Sequence, residues 1–304
     1  MARSRRLRVL AAALAGVGLL ATAACGGNTG TGNAGSAGGG NHAKDAKLAA
    51  MVPDSIASDG KVVVATDPTY APMENVAADG TTIVGVDPDL GKALGQILGL
   101  KFEFQKATFD GIIPGLAAGK YELGMSSFTD TKKREKVVDF VTYFRAGTAL
   151  MVPTGNPAKL SVSDSSLCGK KVGAEKGTIQ ADDIKARSQK CTAAGNKPIG
   201  LKVFPDQNAV NLALATGRID AALADSGVAG YMAKKSAGKF EIVGQPYSTA
   251  PYGIAVPHNS GDFTKALQGA VDKLIADGTY AKILKKWSST QGGIGKSEIN
   301  AAVS

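Results

Sequence analysis

Histidine is nearly missing from this chain of 304 residues: His42 lies in a Gly- and Asn-rich stretch and His258 in a late loop. With two imidazoles so far apart, neither a His-based metal site nor a Ser–His nucleophilic pair is evident. Long basic runs are missing as well. The formal net charge of +9 includes four arginines and no acid within residues 1–24. The smaller surplus of the remainder is spread along the chain, which argues against nucleic acid as a partner. No apolar run is long enough for a convincing membrane span, and the one near the N-terminus is rich in small residues. What is present suits folded domains: 44% hydrophobic and 20% charged residues, over a length that fits about two domains of ~150 residues.

Residues 1–24, MARSRRLRVLAAALAGVGLLATAA, place Arg3, Arg5, Arg6 and Arg8 ahead of an apolar run ending in small residues, the form of a secretory signal. Cys25 follows Thr22, Ala23 and Ala24. This is similar to a bacterial lipoprotein box, with Thr22 where that pattern usually has Leu. It implies that Cys25 is lipidated and becomes the mature N-terminus; an ordinary signal followed by a chance Cys is the competing reading. SRRLRVL resembles a twin-arginine export signal only loosely, so general secretion is the default. Residues 25–54 open with GGNTGTGNAGSAGGGN, too poor in apolar residues to pack, and read as a flexible tether. Lipid, tether and folded body predict an exported protein anchored to the outer face of the cell membrane. In such a protein Cys168 and Cys191 read as a disulfide rather than as metal ligands.

From Lys61 the chain alternates short β-rich runs with helical stretches. KVVVATD (61–67), TTIVGVD (81–87), KFEFQKA (101–107) and YELGMS (121–126) are the first candidate strands. In DPDLGKALGQILG, Asp87 is the expected N-cap and Pro88 the first helical residue. Leu90, Leu94, Ile97 and Leu98 form one apolar face, and Gly99 ends the helix. FDGIIPGLAAGK gives a second helix. The rhythm restarts with KKVGAE (170–175), LKVFP (201–205), IDAALAD (219–225) and FEIVG (240–244), separated by helices from Thr178 and Gln207. GIAVP (253–257) precedes two final helices, and the tail reads as frayed. Strand–helix–strand order of this kind predicts an α/β fold with a largely parallel sheet.

In such sheets ligands bind beyond the carboxyl ends of the strands, where helix N-termini point. GMSSFTDTKKRE is such a place: Thr129 or Ser127 can cap a following helix, and Arg134 can lean back over its start to grip a carboxylate with two bonds. VGAEKGTIQADD is another, where Gly177 permits close approach and Thr178 opens a helix. A capped helix with a solvated Arg and a plain strand-to-helix turn fit the same residues. Two anion-holding helix starts in two domains nonetheless raise the idea of a cleft between them.

ATDPTYAPME, GVDPDLGKALGQILG, FDGIIPGLAAGKYELGMSSFTDTKKREKVVDF, KKVGAEKGTIQ, TGRIDAALADSGVAGY, YGIAVP and ADGTYAKILKKW occur in this order. Together, over about residues 60–288, they resemble the polar amino-acid-binding proteins of bacterial ABC importers. Departures from the family pattern are Val86, where an aromatic or larger aliphatic is usual, Pro88 in place of an apolar residue, and Met73 in place of Phe. The resemblance implies a two-lobed periplasmic-binding-protein-like fold of type II. Each lobe is a mainly parallel sheet flanked by helices, with the ligand in the cleft between lobes. Lobe one is expected at 55–145 and 253–290 and lobe two at 146–252, with crossings near 146–148 and 248–252 and a frayed tail at 291–304.

The same resemblance assigns roles. Ser127, Thr129 and Arg134 meet the ligand's α-carboxylate, with Thr178 donating from the other lobe. Asp225 meets the α-ammonium; an N-cap for the next helix is its alternative. Tyr70 and Phe109 flank the ligand side chain, with core packing the competing explanation for both. Asp67 and Glu175 face the side chain, which suits a cationic or amide-bearing ligand. The implied function is a monomeric solute-binding lipoprotein that delivers a polar amino acid to a membrane permease, without cofactor, metal or catalytic residue. An enzyme on the same fold, like the periplasmic cyclohexadienyl dehydratases, is the alternative, and Glu175 is the general acid it would use. The N-terminal reading is open to direct measurement: mass analysis of the exported protein should find lipid on Cys25, and Cys25→Ser should release the body from the membrane. A free Cys25 thiol, or a longer mature N-terminus, would overturn the anchor.

Overall fold

The computed structural model describes residues 42–303. The signal segment, Cys25 and the tether as far as residue 41 lie outside the described residues. Packing begins earlier than residue 55. Asp45 accepts the N–H groups of Lys47 and Leu48 to cap α1 (Ala46–Ala49), its own N–H donates to the Ile97 carbonyl, and its carboxylate pairs with Lys273 at 2.6 Å. α2 (Asp54–Ala57) buries Ile56. The tether expectation therefore needs correcting at its C-terminal end, where Asp45 and Leu48 supply the cap and the apolar contact that the Gly-rich stretch lacks.

β1 (Lys61–Thr66) buries Val62 and Val64 and leads to a three-stranded sheet of β2 (Thr69–Tyr70), β3 (Glu74–Val76) and β4 (Ile83–Val84). The expected strand at 81–87 is cut short because α3 (Val86–Leu98) starts within it. Gly85 is its N-cap, at φ +146°, and a Cβ there would fall 2.0 Å from the Met73 carbonyl oxygen. Asp87 is thus not the cap but a fully buried residue of the first turn. The predicted face of Leu90, Leu94, Ile97 and Leu98 is buried, and Gly99 ends the helix in the left-handed region, at φ +71°. β5 (Lys101–Lys106), α4 (Phe109–Ala117) and β6 (Leu123–Gly124) complete parallel pairings on either side of β1.

No helix follows the SSFTDTKKRE segment. Residues 132–137 form consecutive turns, with Thr131 Oγ1 accepting the Arg134 N–H at 3.2 Å. The capping hydroxyl is Thr131 rather than Thr129 or Ser127, because those two precede the turn and are held elsewhere. The chain then enters β7 (Val138–Pro153), which crosses into the second lobe. There β8 (Lys171–Glu175), α5 (Ile179–Ala193), β9 (Gly200–Phe204), α6 (Gln207–Ala215), β10 (Ala221–Asp225) and α7 (Ser226–Lys235) repeat the strand–helix rhythm. β11 (Phe240–Pro257) returns beside β7 as one strand, so FEIVG and GIAVP are its two ends. The eight-stranded order is β5-β1-β6-β11-β7-β10-β8-β9. Sheet pairs are parallel within each lobe's outer strands and antiparallel where β7 and β11 join them. α8 (Phe263–Ala276) and α9 (Thr279–Lys286) pack back on α3.

The tail is not frayed. Ser297 is fully buried and donates to the Thr142 carbonyl at 2.7 Å, the Asn300 N–H donates to the Phe140 carbonyl, and the Ala301 N–H donates to Asp130 Oδ2 at 2.7 Å. Bonds to β7 and to Asp130 hold it, together with Ile294 and Ile299 packed against the core, and composition does not register such pairing. Among the described residues no helix is long and apolar enough to cross a membrane. Cys168 and Cys191 are bonded, tying the loop after β7 to α5 across a separation of 23 residues. Opening a loop of that length by Cys168→Ser with Cys191→Ser should cost about 3 kcal/mol in the chain-entropy account. Urea unfolding measures it; an unchanged midpoint would show that the bond does not stabilise the fold.

Candidate functional site

The nine residues singled out by the sequence line one cleft: Asp67, Tyr70, Phe109, Ser127, Thr129 and Arg134 from lobe one, and Glu175, Thr178 and Asp225 from lobe two. Glu74, Ser126, Ile179 and Gln180 complete its wall. Its empty space is about 300 Å³, part of it open to solvent.

Arg134 is aimed by what surrounds it. Its guanidinium lies 5.3 Å from the Phe109 ring centre and 5.4 Å from that of Phe128, two rings stacked at 4.6 Å. Nη1 donates to the Thr129 carbonyl at 2.8 Å, and Nη2 donates across the cleft to the Gly177 carbonyl at 3.0 Å. A guanidinium has five donors, so capacity for an anion remains. Burial pulls its pKa down to about 10, against the opposing pull of Asp225. Thr129 is fixed by a bridge to Tyr252 of β11. Ser127 is arranged differently from the expectation that it donates to a carboxylate. It sits at φ +53°, its N–H donates to Asp87 Oδ2 and its hydroxyl donates to Glu74 Oε2. Both donors are committed inward, so Ser127 offers the cleft only acceptors.

The acids are unequally satisfied. Asp67, at the end of β1, accepts from Thr69 Oγ1 at 2.9 Å and from the Phe109 N–H at 3.1 Å, so it caps α4 while facing the cleft. Burial nonetheless raises its pKa. Glu175 ends β8 at 2% exposure, and its Oε1 has no hydrogen-bond partner. Desolvation first, then the charges of Asp67, Asp206, Asp225 and Asp110, hold its carboxyl well above the usual range. Its sequence neighbour Lys176 is taken by Asp110, 2.8 Å away.

In lobe two, Thr178 caps α5, accepting the Ala181 N–H and donating to the Glu175 carbonyl. Gly177 precedes it at φ +81°, and a Cβ there would meet the Asp110 side chain at 2.9 Å, so the lobes touch at this point. Asp225 occupies the N-cap position of α7 but makes no capping bond. Its carboxylate instead accepts from the Tyr70 hydroxyl at 2.7 Å and from Gln180 Nε2 at 2.9 Å, while its own N–H donates to the Tyr70 oxygen. Burial raises its pKa, and the bonds from Tyr70 and Gln180 resist the shift. Gln180 and Glu74 were not singled out in the sequence. Gln180 stands two residues past the Thr178 cap and could have been found as a side chain of the first helical turn; Glu74 carries no local signal at all.

Comparison with known proteins follows the same lines. The profile of the bacterial extracellular solute-binding proteins, family 3, matches residues 62–290. The chain is 33% identical over 255 residues to the arginine-binding protein ArgT of Corynebacterium glutamicum, covering 84% of this chain and 83% of that protein. An ancestral arginine-binding protein solved with arginine aligns at a TM-score of 0.69 and 36% identity, over 75% of this chain and 98% of its own. An ancestral amino acid-binding protein described as a precursor of cyclohexadienyl dehydratase aligns at 0.69 and 32%, over 77% and 98%. The cross-lobe bond between Tyr70 and Asp225 can be tested without any ligand. Tyr70→Phe removes a hydrogen bond to a charged group, about 1.5–3 kcal/mol, and the ligand-free protein should become more open. Small-angle scattering would show a larger radius of gyration; an unchanged profile would mean that this bond does not hold the lobes together.

Proposed function

The chain belongs to the bacterial extracellular solute-binding proteins, family 3, and from that premise we propose that it captures an α-amino acid with a cationic side chain for the permease of an ABC importer. A zwitterion uses two of the charged groups in the cleft. Arg134, with the start of α5 at Thr178, takes the α-carboxylate, and Asp225 takes the α-ammonium. Tyr70 and Phe109 flank the stem of the side chain. Asp67 and Glu175 are then left over. The observation that carries the proposal is Glu175 Oε1, a carboxyl oxygen buried without a partner and facing further acids. An amide side chain would leave this acid excess uncompensated. A guanidinium or ammonium neutralises it, and a buried charge is tolerated only when paired. Arginine is the ligand named for two of the three relatives just described. Export, a lipid on Cys25 and action as a monomer complete the reading.

A second reading has one observation in its favour. A carboxyl held protonated in a dry cleft is what a general acid requires, and Glu175 is such a group. Asp225 and Arg134 together favour a zwitterion over a dicarboxylic cyclohexadienyl acid. Incubating the protein with such acids and assaying for product separates the two, and turnover would overturn the receptor reading.

Glu175 also sets a pH dependence. Its carboxyl is pushed up in the cleft, and a bound cation favours its ionised form, so binding should release a proton. Arginine affinity should therefore fall as pH drops below the raised pKa and recover as pH rises. Glu175→Gln should weaken arginine by about 2–5 kcal/mol, the usual cost of truncating one partner of a buried charge pair. It should also abolish the proton release, measured by calorimetry in buffers of different ionisation enthalpy. Tighter binding of glutamine than of arginine by the wild type at neutral pH would sink the cationic assignment.

A further inference from the structure

The ligand reading leaves unused a second pair of carboxyls, Glu74 in the cleft wall and Asp87, which is not among the residues lining the cleft. Glu74, at the start of β3, and Asp87, in the first turn of α3, are both fully buried. None of the ion pairs among the described residues includes either one. Glu74 Oε1 accepts from the Ser126 hydroxyl at 3.1 Å and Oε2 from the Ser127 hydroxyl at 3.1 Å. Asp87 Oδ2 accepts from the Ser127 N–H at 3.2 Å and from the Tyr143 hydroxyl at 2.9 Å. Asp87 Oδ1 has no partner. Two adjacent anions in a dry interior, without a cation, are prohibitively costly.

We propose that Glu74 and Asp87 hold one shared proton, carried on Glu74 and directed at Asp87, and that this proton positions the turn at Ser126 and Ser127 on which the ligand site is built. The missing partner of Asp87 Oδ1 is then an acid O–H. The location follows from α3: its N-terminal dipole favours the ionised form of Asp87, which lies in the first turn, and leaves the proton to Glu74. Burial raises both carboxyls, Glu74 well above its ordinary value with the Asp87 charge adding to the effect. The groups facing the pair are Tyr143 from β7 and Tyr70, the cross-strand partner of Glu74 on β2. In the cleft stand Asp67 and Arg134 from the same lobe and Glu175 and Asp225 from the other, none of them in an ion pair with either acid.

The pair matters to the cleft because it holds both donors of Ser127, a residue in the left-handed region without being glycine. Ser126 extends the same chain of bonds, its oxygen accepting the Asp67 N–H while its hydroxyl donates to Glu74. Removing the proton would set two anions against each other directly beneath that turn. Glu74 is in this sense a positioning residue rather than a ligand contact.

The consequence for affinity rests on the amino-acid reading above; the proton itself does not, and the test separates them. In the ligand-free protein the folded pair binds a proton that the unfolded chain releases above its ordinary carboxyl pKa. Stability should therefore fall as pH rises above the ordinary carboxyl range. In Glu74→Gln the slope should be smaller by one proton, which is about tenfold in the unfolding constant per pH unit. Contributions from Glu175 and other raised acids are common to both proteins and cancel in the difference. The infrared spectrum of Glu74→Gln should also lack one protonated-carboxyl band present in the wild type. For binding, Glu74→Gln keeps a donor towards Asp87 and an acceptor for one serine, and should retain arginine affinity within about tenfold. Glu74→Ala should lose about a hundredfold or more, from several bonds removed together. Equal pH slopes in wild type and Glu74→Gln would overturn the shared proton. Equal affinity losses in the Gln and Ala variants would overturn the positioning role. A slope difference with no amino acid bound by either protein would uphold the proton and overturn the reading of the cleft instead.

Discussion

The pairing of β7 with β11 is the constraint on which the rest of the architecture depends. The two strands run antiparallel from Phe240 opposite Pro153 to Pro257 opposite Val138, so both lobes hang on one ladder. The ladder is interrupted between Val243 and Tyr247, between Tyr247 and Ala250, and between Tyr252 and Gly253. Such irregularities bend a strand and re-aim its side chains. Gly147 fits the crossing because a Cβ there would fall 2.8 Å from the Tyr247 carbonyl oxygen. Each half of the cleft is bonded to this region: Asp225 is paired with Thr148 on β7, and Thr129 is bridged to Tyr252 on β11. Gln180 reaches Thr148 and Asp225 with one amide. A bend of the crossing thus moves Arg134 relative to Asp225 directly, without an intermediary element.

The sequence displays the outer strands and helices well, and the crossing poorly. Leu90, Leu94, Ile97 and Leu98 declare a helix by their spacing, and KVVVATD declares a strand by its β-branched residues. β7 carries no such mark, since its polar and small residues, Thr142, Arg145, Gly147 and Thr148, break any period of two while it passes between lobes. Strand and helix signals also collide at Val86, where Gly85 starts a helix inside an apparent strand. The nine cleft residues were recoverable because they follow strand ends in an ordered series of segments. Their bonds were not. That Ser127 donates inward and that Asp67 caps α4 depend on partners 53 and 42 residues away in the chain. Local spacing carries no information about such partners.

The distribution of acids between the lobes bears on when the cleft closes. Asp67 belongs to lobe one, Glu175 and Asp225 to lobe two, and closure brings them around one small space. Without a ligand cation among them, desolvation raises all three carboxyls and the charges of Asp67 and Asp225 raise Glu175 further, which opposes closure, although Arg134 relieves Asp225 in part. The bonds that favour closure are Tyr70 to Asp225, Arg134 to the Gly177 carbonyl and Lys176 to Asp110, the last partly exposed and therefore weak. A ligand can shift the balance between open and closed forms only by the difference in its affinity for the two. On the proposed reading a cationic amino acid supplies that difference twice, by bridging Arg134 and Asp225 and by neutralising Glu175 and Asp67. A neutral amino acid supplies it once. Selectivity among side chains then arises less from the fit of the pocket than from whether closing around the ligand removes a repulsion or preserves it.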